Sequence, residues 1–200
     1  MQPNRSIAFF DAQFQRQVRE GELELNPFEQ LALHHLQGRV LDYGCGLGNL
    51  SLAAARLGCE VVAFDASPTA IDHLRRAAAA EALPIRADVA DLRGHAVREE
   101  FDAVACIGLL MFFDCAAASA QLRMLQERVR PGGVAAFNLL VDGTTYLEMF
   151  DGSGHCLFAR GELARRFAGW DVLHDEHQVF PAPAGTVKCF DTVVARKPLA

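Results

Sequence analysis

The chain has 200 residues, 51% of them hydrophobic and 22% charged, with a formal net charge of −6. That length and balance describe one folded domain and exclude a disordered segment. The acidic surplus argues against nucleic acid as a partner, since phosphate binding calls for a basic surface.

In chain order, Ile7 to Arg19 spaces Phe9, Phe10, Phe14 and Val18 along one helical face. Asn26-Pro27-Phe28 starts a second helix toward His35. From Gly38 onward strands and helices alternate. Arg39 to Asp42 is a short strand that ends in a Gly-rich turn, and Leu47 to Leu57 is a helix stopped by Gly58. Glu60 to Asp65 is the next strand, and Ser67-Pro68 opens a helix over Thr69 to Glu81. Pro84 to Ala87 and Phe101 to Ile107 are further strands, followed by a helix across Cys115 to Val129. Pro131-Gly132-Gly133 is a turn that launches a strand over Val134 to Val141, and Arg160 to Phe167 reads as a helix. Trp170 to Phe180 and Thr186 to Arg196, joined by a Pro/Gly loop, form an antiparallel hairpin. The expected fold is a single doubly wound α/β domain. Its seven-stranded sheet is mostly parallel, with one antiparallel strand from the hairpin and helices on both faces. Residues 1–37 are expected to form a helical arm or lid, and 38–200 the main domain.

The longest apolar run, Ile107 to Phe113, is far too short to cross a bilayer. The first twenty residues hold no apolar core of signal-peptide length. A cytoplasmic protein, monomeric or homodimeric, is the expectation. The six cysteines form no C-x-x-C pair and sit mostly in apolar stretches. They read as buried free thiols, with no metal site and no disulfide framework.

Val40-Leu41-Asp42-Tyr43-Gly44-Cys45-Gly46-Leu47-Gly48 carries the chemistry. Its glycines let the chain turn sharply from strand to helix and leave room beside the backbone for a ligand. Asp42 stands at the tip of the strand before the turn. Asp65 ends the next strand about twenty residues on, where a carboxylate takes both ribose hydroxyls. Asp88 ends the third strand, on the side where an adenine would lie. A dinucleotide-binding turn shares much of this, but its G-x-G-x-x-G needs a glycine where Asn49 stands. A carboxylate such as Asp42 would also repel a pyrophosphate, whereas it suits the cationic methionine end of S-adenosylmethionine.

The segment VLDYGCGLGNLSLAAARLGCEVVAFDASPTAI resembles the first motif and acidic loop of class I S-adenosylmethionine-dependent methyltransferases. Within that family the chain is most similar to the TehB-like, tellurite-resistance group, through FDAVACIGLLMFF and the ending FDTVVARKP. The resemblance implies that Asp42, Gly44 and Gly46 line the methionine part of the cofactor, with Cys45 and Asn49 also in the cofactor site. It gives Asp65 the ribose, Ala66 the adenine face, Asp88 and Val89 the adenine edge, and Ile107 and Gly108 the place beneath the sulfonium. His177 falls where the group tends to carry a histidine. Cys189 stands near the usual place of an arginine, a departure that weakens the case for an oxyanion substrate.

Methyl transfer to a small molecule is therefore expected, with a thiol, a metalloid oxyanion or a hydroxyl as acceptor. A cofactor-binding module without turnover and a nicotinamide-dependent reductase are the alternatives. His177 is the candidate base or positioning group, because imidazole titrates near neutrality. Phe10, Met111 and Phe112 are the candidate walls of the acceptor pocket, with Phe113 beside them and His155 a weaker candidate in its loop. The fourth strand lacks the Asn/Asp-Pro-Pro-aromatic segment of enzymes that methylate exocyclic or amide nitrogens.

Overall fold

The structure is a computed structural model that describes residues 5–21, 23–150 and 154–199, with side chains from residue 9 onward. Part of the loop that precedes His155 (151–153) lies outside the described residues. Two helices, α1 (Arg5–Glu20) and α2 (Pro27–Leu33), precede the alternating core. Then follow β1 (Arg39–Tyr43), α3 (Asn49–Arg56), β2 (Glu60–Asp65), α4 (Pro68–Ala80), β3 (Ile85–Val89) and β4 (Phe101–Ile107). The chain closes with α5 (Cys115–Glu127), β5 (Val129–Leu140), α6 (Glu162–Arg165), β6 (Asp171–Pro181) and β7 (Val187–Arg196).

The seven strands form one sheet in the order β3-β2-β1-β4-β5-β7-β6. β7 runs antiparallel to both neighbours, and every other pairing is parallel, so the expected architecture is borne out. Several boundaries differ, two of them informatively. β5 begins at Val129, so Pro131 to Gly133 lies inside the strand at a register shift against β4. α6 is a single turn, shorter than its apolar pattern predicts.

Local chemistry sets the helix starts. The Asn26 carboxamide accepts from the Phe28 and Glu29 N–H groups, while the Glu29 carboxylate accepts from the Asn26 N–H. This reciprocal box fixes where α2 begins. Ser67 caps α4 through the Ala70 N–H, and Asp114 caps α5 through the Ala117 N–H. Each such cap contributes about 1 kcal/mol.

Burial follows the strands. On one face Phe101, Phe137, Leu122, Leu125 and Phe167 pack beneath α5 and α6. On the other, Val40, Val61, Ile71 and Leu74 pack beneath α3 and α4, and Ala136 and Val194 beneath α2. Burying each Leu, Ile or Phe fully stabilises the fold by roughly 1.5–3 kcal/mol. The parallel strands β1, β2 and β4 therefore carry largely apolar runs.

Four cysteines, Cys45, Cys59, Cys106 and Cys189, are buried free thiols, as their apolar settings predict. Cys115 and Cys156 are not. They form a disulfide across 41 positions of sequence, with Cα atoms 4.8 Å apart. The Cys156 N–H donates to the Met111 carbonyl at 3.0 Å, which docks the loop beside the start of α5. That loop docking is a tertiary event, which the spacing of the cysteines does not encode.

Candidate functional site

The tips of β1, β2 and β4 converge on a cleft of about 320 Å³. The turn after β1 forms its floor. The Gly44 and Cys45 N–H groups both donate to the Phe64 carbonyl, at 2.8 and 3.0 Å, which draws the turn onto the end of β2. Gly44 has φ +86°, and a Cβ there would lie 2.9 Å from Leu109. Gly108 has φ +68°, yet a Cβ there would meet nothing nearer than Met111 at 3.9 Å. The first glycine lets the backbone turn, and the second leaves the cavity open above β4.

Asp65 sits at the centre of the wall. Its carboxylate accepts from the Gly46 N–H at 2.9 Å and from the Ser67 N–H at 2.8 Å. Burial nevertheless pushes its pKa above the ordinary carboxylate value, against the lowering by those hydrogen bonds. Gly44, Cys45, Gly46, Asn49, Ala66, Ile107 and Gly108 also line the cleft, where the sequence placed them.

Three expected contacts fall elsewhere. Asp42 is 3% exposed and lies beneath the floor, accepting from the Ser51 hydroxyl at 2.6 Å. It lines neither cavity described here. Burial raises its pKa to about 7, with Glu29 and Asp65 adding to the rise. Asp88 ion-pairs with Arg75 of α4 at 2.9 Å, and Val89 is exposed. The chain turns back after β3, held by an Ala90 N–H bond to the Asp65 carbonyl, so Asp91, Leu92 and Arg93 form the wall instead.

The N-terminal helices close the cleft. Phe10, Gln13, Phe14 and Gln17 of α1 line it, with Glu24 and Asn26 from the segment that leads into α2 and Glu29 from its first turn. A Cβ on Gly46 would lie 3.3 Å from the Phe14 ring. The Ser67 hydroxyl donates to the Asp11 carboxylate at 2.6 Å, which ties α1 to the start of α4. Sequence periodicity finds both helices but not their position over the strand tips. The Asn26/Glu29 capping pattern marks where α2 starts, and nothing local says what Glu29 faces.

A second cavity of about 810 Å³ adjoins the first and shares Phe10, Gln13, Glu29, Ile107, Gly108 and Phe112 with it. Met111, Asn138, Leu140, Tyr146, Lys188 and Phe190 complete much of its wall. The expected pocket residues Phe10, Met111 and Phe112 all belong to it. Asn138, Tyr146 and Lys188 are additions that the sequence reading did not single out. Their common position depends on β5 and β7 lying side by side.

His177 is not part of either cavity. Its Nδ1 lies 2.7 Å from Asp191 Oδ1, and Asp191 Oδ2 accepts from the Gly161 N–H at 2.6 Å. His177 stands opposite Asp191, and Asp191 opposite Leu139. Asn138 and Thr192 are one position along and so point to the other face of the sheet. The register therefore carries His177 away from the site. His155 is exposed and stacks on Phe150, 4.5 Å between centroids.

The chemistry of the cleft fits a cation. Glu24, Glu29, Asp65 and Asp91 line it, and the only basic residue among its described lining residues, Arg93, is paired with Asp91 at 2.6 Å. A pyrophosphate would be repelled there, whereas an ammonium and a sulfonium would be drawn in. A doubly wound sheet with a glycine turn and a carboxylate at its second strand tip defines a nucleoside-cofactor domain, and this charge selects the methyltransferase class. Residues 40–133 match the family described as "Methyltransferase domain". This match spans just under half of the chain, and the resemblance to class I methyltransferases, with S-adenosylmethionine as cofactor, is borne out.

The TehB-like resemblance is borne out as well. The chain is 27% identical over 141 residues to the probable S-adenosyl-L-methionine-dependent methyltransferase TehB of Haemophilus influenzae (strain 10810), covering 68% of this chain and 46% of that protein. The solved structure of TehB from Haemophilus influenzae superposes with a TM-score of 0.75 at 21% identity, over 86% of this chain and 62% of that one. Hemagglutinin 1 of Eikenella corrodens is 31% identical over 145 residues, 70% of this chain and 46% of that protein. The chain thus spans about half the length of the curated relatives it matches. Among the described residues no helix is long and apolar enough to cross a membrane, and no cluster of three or more candidate metal ligands occurs.

Proposed function

We propose that the chain transfers the methyl group of S-adenosylmethionine to a small-molecule acceptor. The supporting observation is the junction of the two cavities. An acidic cleft over the strand tips opens, through Phe10, Glu29, Ile107, Gly108 and Phe112, into a larger aromatic chamber. When bound, the cofactor supplies a methyl group on a positively charged sulfur, an electrophile that needs no further activation. The residues of the chain then have to bind, align and exclude water.

Asp65 is the ribose ligand in this reading. Each of its oxygens accepts one backbone N–H and keeps a lone pair for a ribose hydroxyl. Asp91 and Leu92 take the adenine side. Gly44, Cys45, Gly46 and Asn49 flank the methionine part, and Asp42 acts from beneath, through Ser51 and the start of α3. Ile107 and Gly108 lie beneath the transferred group. Helix α1 covers the cleft, and a well-aligned pair of reactants behind it gains roughly 7–11 kcal/mol of the barrier from proximity alone. A thiol, a metalloid oxyanion or a hydroxyl all fit the reaction type, and only an acceptor that carries a proton at neutral pH needs a base.

The test is calorimetric titration with S-adenosylhomocysteine, with oxidised nicotinamide dinucleotide as control, followed by release of S-adenosylhomocysteine from the methyl donor over an acceptor panel. Micromolar binding of the first and none of the second is expected, with turnover of at least one acceptor. Binding of the nicotinamide dinucleotide alone would replace this reading with a reductase. Cofactor binding with silence across the whole panel would leave a binding module.

A further inference from the structure

The second cavity has polar chemistry at both ends and aromatic walls between. At the end shared with the cofactor cleft stands Asn138, which is 2% exposed. Its Nδ2 donates to Thr192 Oγ1 at 2.9 Å, and its backbone carbonyl accepts the Gly108 N–H at 2.8 Å. Its side-chain oxygen has no hydrogen-bond partner among the described residues. A buried carbonyl left unsatisfied is costly, and a ligand that donates to it recovers that loss. Glu29, also at this end, is a second hydrogen-bond acceptor.

The walls are aromatic. Phe28 and Phe190 pack with centroids 4.8 Å apart, and Phe10 and Phe112 with centroids 4.9 Å apart. Such surfaces favour a flat aromatic body. At the outer end is Lys188, whose Nζ lies 4.8 Å from the centre of the Tyr146 ring. It has no carboxylate partner among the described residues, and burial lowers its pKa. Lys188 is four positions before Thr192 on β7, so about 13 Å of strand separates the two ends.

We propose that this cavity takes a hydroxylated aromatic carboxylic acid, with its ring hydroxyl donating to Asn138 Oδ1 beside Gly108 and its carboxylate held by Lys188. The proposal rests on the methyl-transfer reading and narrows its acceptor. A thiolate has no proton to offer Asn138, and an inorganic oxyanion has no body to fill the aromatic walls. In the reaction a lone pair of the hydroxyl oxygen forms the bond to the methyl carbon. The carbon–sulfur bond breaks with its pair left on sulfur, and the hydroxyl proton, which the Asn138 amide oxygen orients but cannot keep, turns to the Glu29 carboxylate at the same end of the cavity and is taken up there.

The experiment compares caffeate, methyl caffeate, thiophenol and tellurite as acceptors, read by release of S-adenosylhomocysteine, on a preparation whose affinity for that product is measured in parallel. Caffeate should be methylated, and its methyl ester should show a KM raised by about tenfold, the scale of one charge-assisted contact. Lys188→Met should abolish the preference for the acid over the ester. Asn138→Leu should lower kcat/KM by about tenfold or more with product affinity unchanged. A preparation that binds S-adenosylhomocysteine but prefers thiophenol or tellurite, or leaves caffeate untouched, overturns the proposal and spares the methyl-transfer reading. An acid-over-ester preference that survives Lys188→Met also overturns it. Failure to bind S-adenosylhomocysteine removes both.

Discussion

The Asp65 carboxylate accepts a hydrogen bond from the Gly46 N–H at 2.9 Å, which joins the acid at the tip of β2 to the glycine turn after β1. These residues are 19 positions apart, and the contact ties the acid proposed to hold the ribose to the turn. Asp65→Ala removes the acceptor for two backbone donors and for the ribose. The expected outcome is an affinity for S-adenosylhomocysteine weaker by at least about tenfold, from the loss of charge-assisted hydrogen bonds. Calorimetry checks it, and unchanged affinity would remove Asp65 from the cofactor site.

Asp42 gives a pH signature. Its folded pKa, about 7, lies above the ordinary carboxylate value of 3.8 from which burial raises it. The native state therefore binds this proton more tightly than the unfolded chain. The contribution to stability is full below about pH 4 and is lost as pH rises through 7. The displacement corresponds to roughly 4 kcal/mol across that window. Asp42→Asn keeps the Ser51 hydrogen bond and has no charge to desolvate. Denaturant titrations at pH 5 and pH 8 should show wild type losing stability with rising pH from this group, and the variant losing correspondingly less.

Phe14 and Asp11 hold α1 over the cleft, through the contact with Gly46 and the bond to Ser67. Phe14→Ala should raise the dissociation rate of S-adenosylhomocysteine by roughly tenfold, because a buried aromatic contact is lost from the closed state. Asp11→Ala should act in the same direction. Stopped-flow dissociation is the measurement, and rates equal to wild type would reduce α1 to a packing element.

His177 and Asp191 lie on the far side of the sheet from the second cavity. His177→Ala should destabilise the fold by about 1–3 kcal/mol, the range for a lost partner of a buried carboxylate. Cofactor affinity and turnover should stay at wild-type values. A large fall in kcat at unchanged stability would restore the catalytic role that its sequence position suggested.

The Cys115–Cys156 bridge closes a loop of 41 positions. The chain-entropy relation assigns about 4 kcal/mol to such a loop. Cys115→Ser should lower the denaturation midpoint by a corresponding amount, and a reducing agent should do the same to wild type. Equal midpoints with and without reductant would show that the bridge does not form in solution.

The sequence by itself determined the alternating sheet, the glycine turn and the acid at Asp65, because each is written within a span of a few residues. Apolar periodicity, helix caps and turn glycines act locally, and the parallel order follows from the helices between the strands. It also grouped Phe10, Met111 and Phe112, which line the second cavity, from the helical face of the first segment and the residues that follow β4. Only the tertiary structure decided which way the remaining polar groups point. Asp42 and Asp88 each stand one position before the end of a strand, yet one is buried under the floor and the other pairs with Arg75, because strand parity and edge position set their surroundings. The pairing of β5 with β7 sets Asn138 beside Thr192, 54 positions away, and sends His177 to the opposite face. Such long-range register is fixed by burial across the whole sheet, and a shift of one residue would exchange the two faces.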